Sequence, residues 1–179
     1  DPERKTAIHQ WHVDNGAEFE DVGQWKRPHY FPQKNENIHD AVNRECRAVR
    51  NSLGILDAST LGKIDLQGPD VAKFLNLIYT NAWSKLEVGS CRYGLMCNEH
   101  GMVFDDGVTT RISENRYHMT TTTGGAARVM SWLEEFLQTE WLDMEVFCTS
   151  VTEQWTVLSI SGPNSREFLS SLTDIDISK

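Results

Sequence analysis

The chain has 179 residues, of which 39% are hydrophobic and 24% charged, the balance of a water-soluble folded protein with room for one ordinary domain or two small ones. Its net charge of −9 argues against general binding to nucleic acid or to an anionic membrane, but leaves room for an anionic ligand held by a local basic patch. No apolar run reaches the ~18 residues of a membrane-spanning helix and no signal-peptide pattern opens the chain, so a cytoplasmic location is expected.

The stretch from Trp11 to Pro32 is rich in aromatics, glycine and proline and reads as irregular. Ile38, Ala41, Val42 and Val49 recur near helical spacing among charges and predict a helix from about Ile38 to Asn51, ended by Ser52-Leu53-Gly54. Asp57 to Leu66 reads as a turn leading into a short strand. Leu66-Gln67-Gly68-Pro69, followed by Phe74-Leu75, is echoed by Ile160-Ser161-Gly162-Pro163, followed by Phe168-Leu169. Glycine permits a sharp turn and proline suits the first turn of a helix, so each copy predicts a strand-to-helix junction. The echo suggests two related α/β halves, although a chance match of a common turn accounts for it as well.

Between the echoes lies a predicted meander. Cys91 to Cys97 reads as a strand, Asn98-Glu99-His100-Gly101 as a tight turn, and Met102 to Arg111 as the next strand. Ser113-Glu114-Asn115 turns again before a third strand, Arg116 to Thr122. Ala126 to Gln138 predicts an amphipathic helix with Val129, Trp132, Leu133 and Phe136 inward. Further strands are expected near Glu145 to Val151 and Trp155 to Ser161. Hairpins mixed with helices give an α+β fold with antiparallel sheets and packed helices. Three segments are expected: 1–56 as an irregular stretch plus helix, 57–143 as a first α/β unit, and 144–179 as the start of a second, incomplete unit. The start at Asp1 and the end at Lys179 suggest an excised piece of a longer protein.

The chemistry candidates centre on Asp105 and Asp106, two aspartates inside a strand, where aspartate is a poor fit. Successive strand residues face opposite sides. Asp106 shares its parity with Met102, Phe104, Val108 and Thr110, so the pattern places it on the apolar side. Asp105 shares its parity with Val103, Gly107, Thr109 and Arg111, with Arg111 as a candidate partner. A carboxylate against apolar neighbours is a candidate for proton transfer or for holding a cation. On the pattern alone the plainer reading, two solvated edge or bulge residues, is favoured. Gly107 leaves open a bulge that would break this parity. Tyr93 has the parity of Leu95 and reads either as a donor near Asp106 or as a core tyrosine. Thr120 to Gly125 ends a strand and opens a helix, offering hydroxyls and free amides. Trp25-Lys26-Arg27-Pro28 reads as a loop anchored by its tryptophan. Cys46, Cys91, Cys97 and Cys148 form no CxxC pair and are expected to be reduced and buried. The scattered histidines give no metal-ligand spacing, and neither GxGxxG nor a P-loop is present, so no metal, flavin or nucleotide site is expected.

Leu61-Gly62-Lys63-Ile64, Gly68-Pro69, Thr80-Asn81, Arg92-Tyr93-Gly94-Leu95-Met96, Asn98-Glu99-His100-Gly101 and Asp105-Asp106 together resemble the glycine cleavage T-protein family, tetrahydrofolate-dependent aminomethyltransferases. The match runs in order over nearly the whole chain. Asp57 to Lys63, Asp106 to Arg111 and Thr120 to Gly125 resemble in particular the folate domain of heterotetrameric sarcosine oxidase α subunits, and Trp25 to Pro28 fits it too. Ser59-Thr60-Leu61 stands where T-proteins carry Ser-His-Met, and Thr122 where they carry Asn. The resemblance implies a T-protein-like folate-binding fold, truncated before its second half. It implies that tetrahydrofolate captures the imine or formaldehyde of sarcosine oxidation as 5,10-methylenetetrahydrofolate. Asp106 would be the catalytic carboxylate, positioning a folate nitrogen, accepting its proton and stabilising an iminium cation. Tyr93, Val108 and Thr122 would contact folate. Flavin and NAD would belong to parts of the complex outside this chain, alongside other subunits, and the piece itself would be inactive and bind folate weakly. Two alternatives remain: a glycine cleavage T-protein with a lipoyl-protein partner, and a non-catalytic folate-binding module.

Overall fold

A computed structural model describes residues 3–178. Its elements in chain order are α1 (His9–Asp14), β1 (Glu18–Val22), β2 (Trp25–Tyr30), α2 (Ile38–Asn51), β3 (Gly54–Asp57), β4 (Gly62–Gln67), α3 (Val71–Ile78), β5 (Cys91–Cys97), β6 (Val103–Ser113), β7 (Arg116–Thr121), α4 (Ala126–Thr139), β8 (Phe147–Ser150), a 3-10 turn (Thr152–Gln154), β9 (Leu158–Ser161) and α5 (Ser165–Ser170). They divide into two compact units. One runs to Thr60 and resumes at Thr156; the other is Leu61–Trp155. Residues 144–155 therefore group with 61–143, and the chain from Thr156 returns to the unit where it began.

The discontinuous unit contains two small sheets. β1 and β2 form an antiparallel hairpin, and β3 pairs antiparallel with β9 from the far end of the chain. The stretch expected to be irregular thus holds both α1 and this hairpin. Proline and glycine hid it, but Pro28 sits in a two-stranded ribbon beside a register shift, where a missing amide costs little. The Arg27 guanidinium donates to Glu20 across the ribbon at 2.7 and 2.8 Å, and Trp25 is buried at its turn end. α2 covers the residues its periodicity predicts. Asn37 caps it by accepting the amides of His39 and Asp40. Deep in this unit, His12 and Asp57 meet at 3.0 Å, and the Ser59 amide also donates to Asp57 at 3.0 Å.

The continuous unit is a five-stranded antiparallel sheet, ordered β5-β6-β7-β4-β8, with α3 and α4 packed on one face. α3 buries Val71, Phe74, Leu75 and Ile78, the spacing of a single helical stripe. α4 buries Val129 and Leu133, with Trp132 and Phe136 partly buried against the same core. The sheet contributes Ile64, Leu66, Met96, Tyr117 and Met119. The Gly-Pro echo has a structural counterpart. Gly68 and Gly162 both end strands with positive φ, +136° and +119°, and a side chain at either would collide with a backbone carbonyl, that of Glu145 or of Ser52. Both glycine carbonyls also accept the amide three residues on, opening α3 and α5 alike.

All four cysteines are free, but none is buried. Cys46 and Cys91 are exposed and Cys97 and Cys148 half-buried, which corrects the sequence expectation. Cys91 and Cys97 lie on the edge strand with the parity of exposed Tyr93, away from the helices. Burial pushes the Cys148 thiol up to about 12.

Phe74 has no solvent exposure, whereas Leu77 on the same helix is 52% exposed. Phe74→Ala is expected to cost about 3–5 kcal/mol and Leu77→Ala under about 1 kcal/mol in urea denaturation; equal losses would contradict this core. Burial pushes the Asp57 carboxyl up, but hydrogen bonds led by those of Ser59 outweigh it, and its pKa falls below the usual value. A depressed folded pKa stabilises the fold above the unfolded carboxyl pKa and stops doing so as pH falls through the folded one. Asp57→Asn is therefore expected to flatten the loss of thermal stability below about pH 4. An unchanged acid slope in a melting series would refute this.

Candidate functional site

The candidate site is built on β6. Met96 pairs with Asp105 and Cys97 with Val103, so Phe104 is an extra residue, a β-bulge. The bulge sits at Phe104 rather than at Gly107. It sends Phe104 and the adjacent Asp105 toward the same side. The Phe104 ring packs 4.8 Å from Trp132 of α4, and Asp105 is 3% exposed. The strand parity expected from sequence is therefore inverted. The row under the helices is Asp105 and Thr109, and the row on the opposite face is Asp106, Val108 and Thr110. Asp106 is half-buried, not the desolvated member of the pair.

On that opposite face the structure brings Tyr93 and Asp106 together. β5 pairs Tyr93 with Val108 and Leu95 with Asp106. The Tyr93 hydroxyl donates to Asp106 Oδ2 at 2.8 Å along the resulting diagonal. That hydrogen bond, with smaller effects of burial and the negative charge, holds the Tyr93 phenol above its usual pKa, so it remains a donor. Tyr93 is 55% and Val108 39% exposed, two apolar surfaces flanking a carboxylate.

Asp105 is occupied differently. Its Oδ1 accepts the amides of Asp106 at 2.8 Å and Thr122 at 2.9 Å, and its Oδ2 accepts the Thr122 hydroxyl at 2.8 Å. The expected Arg111 partnership does not form. Arg111 donates instead to the carbonyls of Leu86 and Glu114 and lies over the Tyr117 ring. Thr122 is thus beside the pair, but its amide and hydroxyl are already directed at Asp105.

Two features escaped the sequence reading. The Thr120 hydroxyl accepts the Val108 amide and donates to the Val108 carbonyl, both at 2.9 Å. The threonine run signalled available hydroxyls, but not that one would substitute for a backbone partner. A cleft of about 330 Å³ also lies in this unit, lined by Asp65, Arg116, His118 and Trp155 among others. Arg116 donates to Asp65 at 2.9 Å, and Gln67 donates to the same carboxylate at 2.6 Å. Burial lowers the His118 pKa, against the raising influence of Asp65. In the other unit, Lys26 and Arg27 are paired with Asp21 and Glu20 within their hairpin.

The antiparallel sheet with two helices packed on one face belongs to a known class. The GCVT N-terminal domain family model covers residues 8–179, and the chain belongs to that family. It is 59% identical over 179 residues to the sarcosine oxidase α subunit of Corynebacterium sp. strain U-96, spanning 99% of this chain and 18% of that protein. The α subunit of Rhizobium meliloti strain 1021 is 46% identical, with 99% of this chain and 18% of that protein covered. The aminomethyltransferase of Staphylococcus haemolyticus is 31% identical, covering 98% of this chain and 45% of its own length. In three dimensions the fold matches the glycine cleavage system aminomethyltransferase T of Bartonella henselae with a TM-score of 0.81, at 23% identity, over 94% of this chain and 43% of that one. The chain thus spans less than half of each of these relatives.

The Tyr93–Asp106 bond is testable by titration. The phenolate absorbance lost on Tyr93→Phe is expected to titrate above the usual tyrosine range, and Asp106→Asn is expected to shift it back down toward 10. A Tyr93 titration unmoved by Asp106→Asn would show that the pair is not formed.

Proposed function

We propose that this chain is the first part of a tetrahydrofolate-dependent one-carbon transfer domain of sarcosine oxidase type. The observation that carries this reading is the Tyr93–Asp106 pair on the face of the sheet opposite its helices, in a chain 46% and 59% identical to sarcosine oxidase α subunits. The residues present suit a folate. An exposed aromatic ring and an exposed valine offer apolar contact to a flat heterocycle, and a carboxylate between them can accept from its nitrogen donors. Tyr93 and Val108 would hold the ligand, Thr122 would stand beside it bound to Asp105, and Asp106 would face the reacting nitrogen. Tetrahydrofolate would supply two amine nitrogens to bond a one-carbon unit at the oxidation level of formaldehyde, each losing its proton while the carbonyl oxygen leaves as water, or an imine nitrogen as the amine, to give 5,10-methylenetetrahydrofolate.

Asp106 then has two tasks. It accepts the proton that a folate secondary amine must lose on bonding the one-carbon unit, and its negative charge stabilises positive charge developing nearby. Tyr93 donates to one carboxylate oxygen, which restricts rotation of the group. Flavin and dinucleotide chemistry, the other subunits and a cytoplasmic setting belong to the proposed whole enzyme. The 31% identity to an aminomethyltransferase supports a second reading, a glycine cleavage T-protein, which would use the same carboxylate on a different one-carbon donor.

The test is Asp106→Asn in the full-length protein. Formation of 5,10-methylenetetrahydrofolate is expected to fall by ~10²–10⁴-fold, while free formaldehyde is still released from the oxidised amine. A parental rate of methylene-folate formation would refute the catalytic role and leave a binding module.

A further inference from the structure

We infer that Asp105 is a positioning residue: its buried carboxylate replaces the missing β6–β7 hydrogen bonds and so fixes the backbone that carries Asp106. The inference rests on the reading of Asp106 as the reacting carboxylate.

The β6–β7 ladder runs from Ser113 only as far as Thr109, which pairs with Met119. Beyond that point the two strands remain neighbours but are no longer in register. Backbone amides left without partners in a partly buried sheet are costly. Side chains supply what the ladder no longer does. The Thr120 hydroxyl serves the Val108 amide and carbonyl, and Asp105 Oδ1 serves the amides of Asp106 and Thr122. One oxygen atom thereby ties together the strand bearing Asp106 and the end of β7.

The clamp extends into α4. The Thr122 hydroxyl donates to Asp105 Oδ2 and accepts the Gly125 amide at 3.1 Å, and Gly125 is the residue that caps α4. A side chain at Gly125 would collide with Asp105 Oδ2, and one at Gly107 with the Thr120 carbonyl. Arg128 of α4 donates to the carbonyl of Phe104, the bulged residue, and its guanidinium lies 4.2 Å over the Phe104 ring. The segment on either side of Asp106 is therefore held by contacts from one neighbouring turn and the helix it opens. With three donors on a carboxylate that is 3% exposed, Asp105 is itself immobile.

This assigns different work to the two aspartates. Asp105 touches no ligand and acts through the Asp106 backbone. Thr122 acts through Asp105, because its hydroxyl and amide both bind that carboxylate. Thr122→Val removes the hydroxyl while keeping the amide and the shape. Thr122→Ser keeps the hydroxyl.

The experiment uses the full-length protein, with turnover kinetics and amide hydrogen exchange read by mass spectrometry. In Thr122→Val, exchange is expected to quicken in peptides covering residues 104–108 and 120–125, while Thr122→Ser keeps parental protection there. Thr122→Val is expected to lower kcat for methylene-folate formation by ~10²-fold, the effect of misplacing a reacting group by about 1 Å, with folate KM changed less than about threefold. Asp105→Asn, which keeps one acceptor oxygen, is expected to fall between parental and Thr122→Val in both readouts. Parental exchange and kcat in Thr122→Val, beside a slow Asp106→Asn, would overturn the positioning role alone. A parental rate in Asp106→Asn would sink the reading of Asp106 and the positioning role with it.

Discussion

A strand that parts from its neighbour inside a sheet must satisfy its amides some other way, because buried backbone donors without partners are expensive. β6 meets this requirement with side chains. Past Thr109 its company on the β7 side is the Thr120 hydroxyl and the Asp105 carboxylate. The Phe104 bulge, Gly107 under the Thr120 carbonyl, the Thr122 hydroxyl and the glycine before α4 all belong to the same solution. A regular ladder here would have needed none of them. It would also have put the next carboxylate in a uniform pleat, with no local means of setting its position.

The two aspartates differ in their number of donors and in where those donors come from. Asp105 takes three hydrogen bonds, two of them from the chain beyond β7, and is buried. Asp106 takes one, from the edge-strand Tyr93, and remains half-open. Charge-assisted bonds of the first kind are strong and hold a fold together. A carboxylate with a single phenol partner keeps acceptor capacity for something else. Chemistry placed on the less satisfied member is therefore consistent with the physics, even though burial alone would have pointed to the other.

Local pattern revealed the elements and not their phase. α2 and α4 were legible because apolar residues recur at helical spacing, α3 because Gly68-Pro69 marks a strand-to-helix turn, and β5, β6 and β7 because polar turns separate alternating runs. The first hairpin was not, because its proline and glycine look like loop residues until Pro28 is seen beside a register shift in a two-stranded ribbon. The inversion at β6 has the same character. Met102 and Phe104 marked an apolar side, but one inserted residue at Phe104 shifted every later side chain to the opposite face. The pairing of Tyr93 with Asp106 survived because both lie beyond the bulge in register with each other. The Asp105–Thr122 contact had no local signal. Arg111 was the nearer cation along the strand, yet it is spent on the carbonyls of Leu86 and Glu114.

The inversion also explains why apolar side chains sit where a surface is expected. With Asp105 and Thr109 turned toward the helices, the opposite row must carry Val108, and the edge strand adds Tyr93. Such exposure sacrifices part of the free energy these residues would release on burial, ~25 cal/mol for each Å² left in water. A monomeric sheet could recover it with polar residues at both positions at no cost to the ladder, since the ladder uses only backbone. A flat ligand lying on Tyr93 and Val108 recovers the same free energy on binding. The carboxylate between them adds direction, because burying it without a donor would be costly. The contacts that make this face a poor surface are thus the ones that would select a flat heterocycle bearing N–H groups.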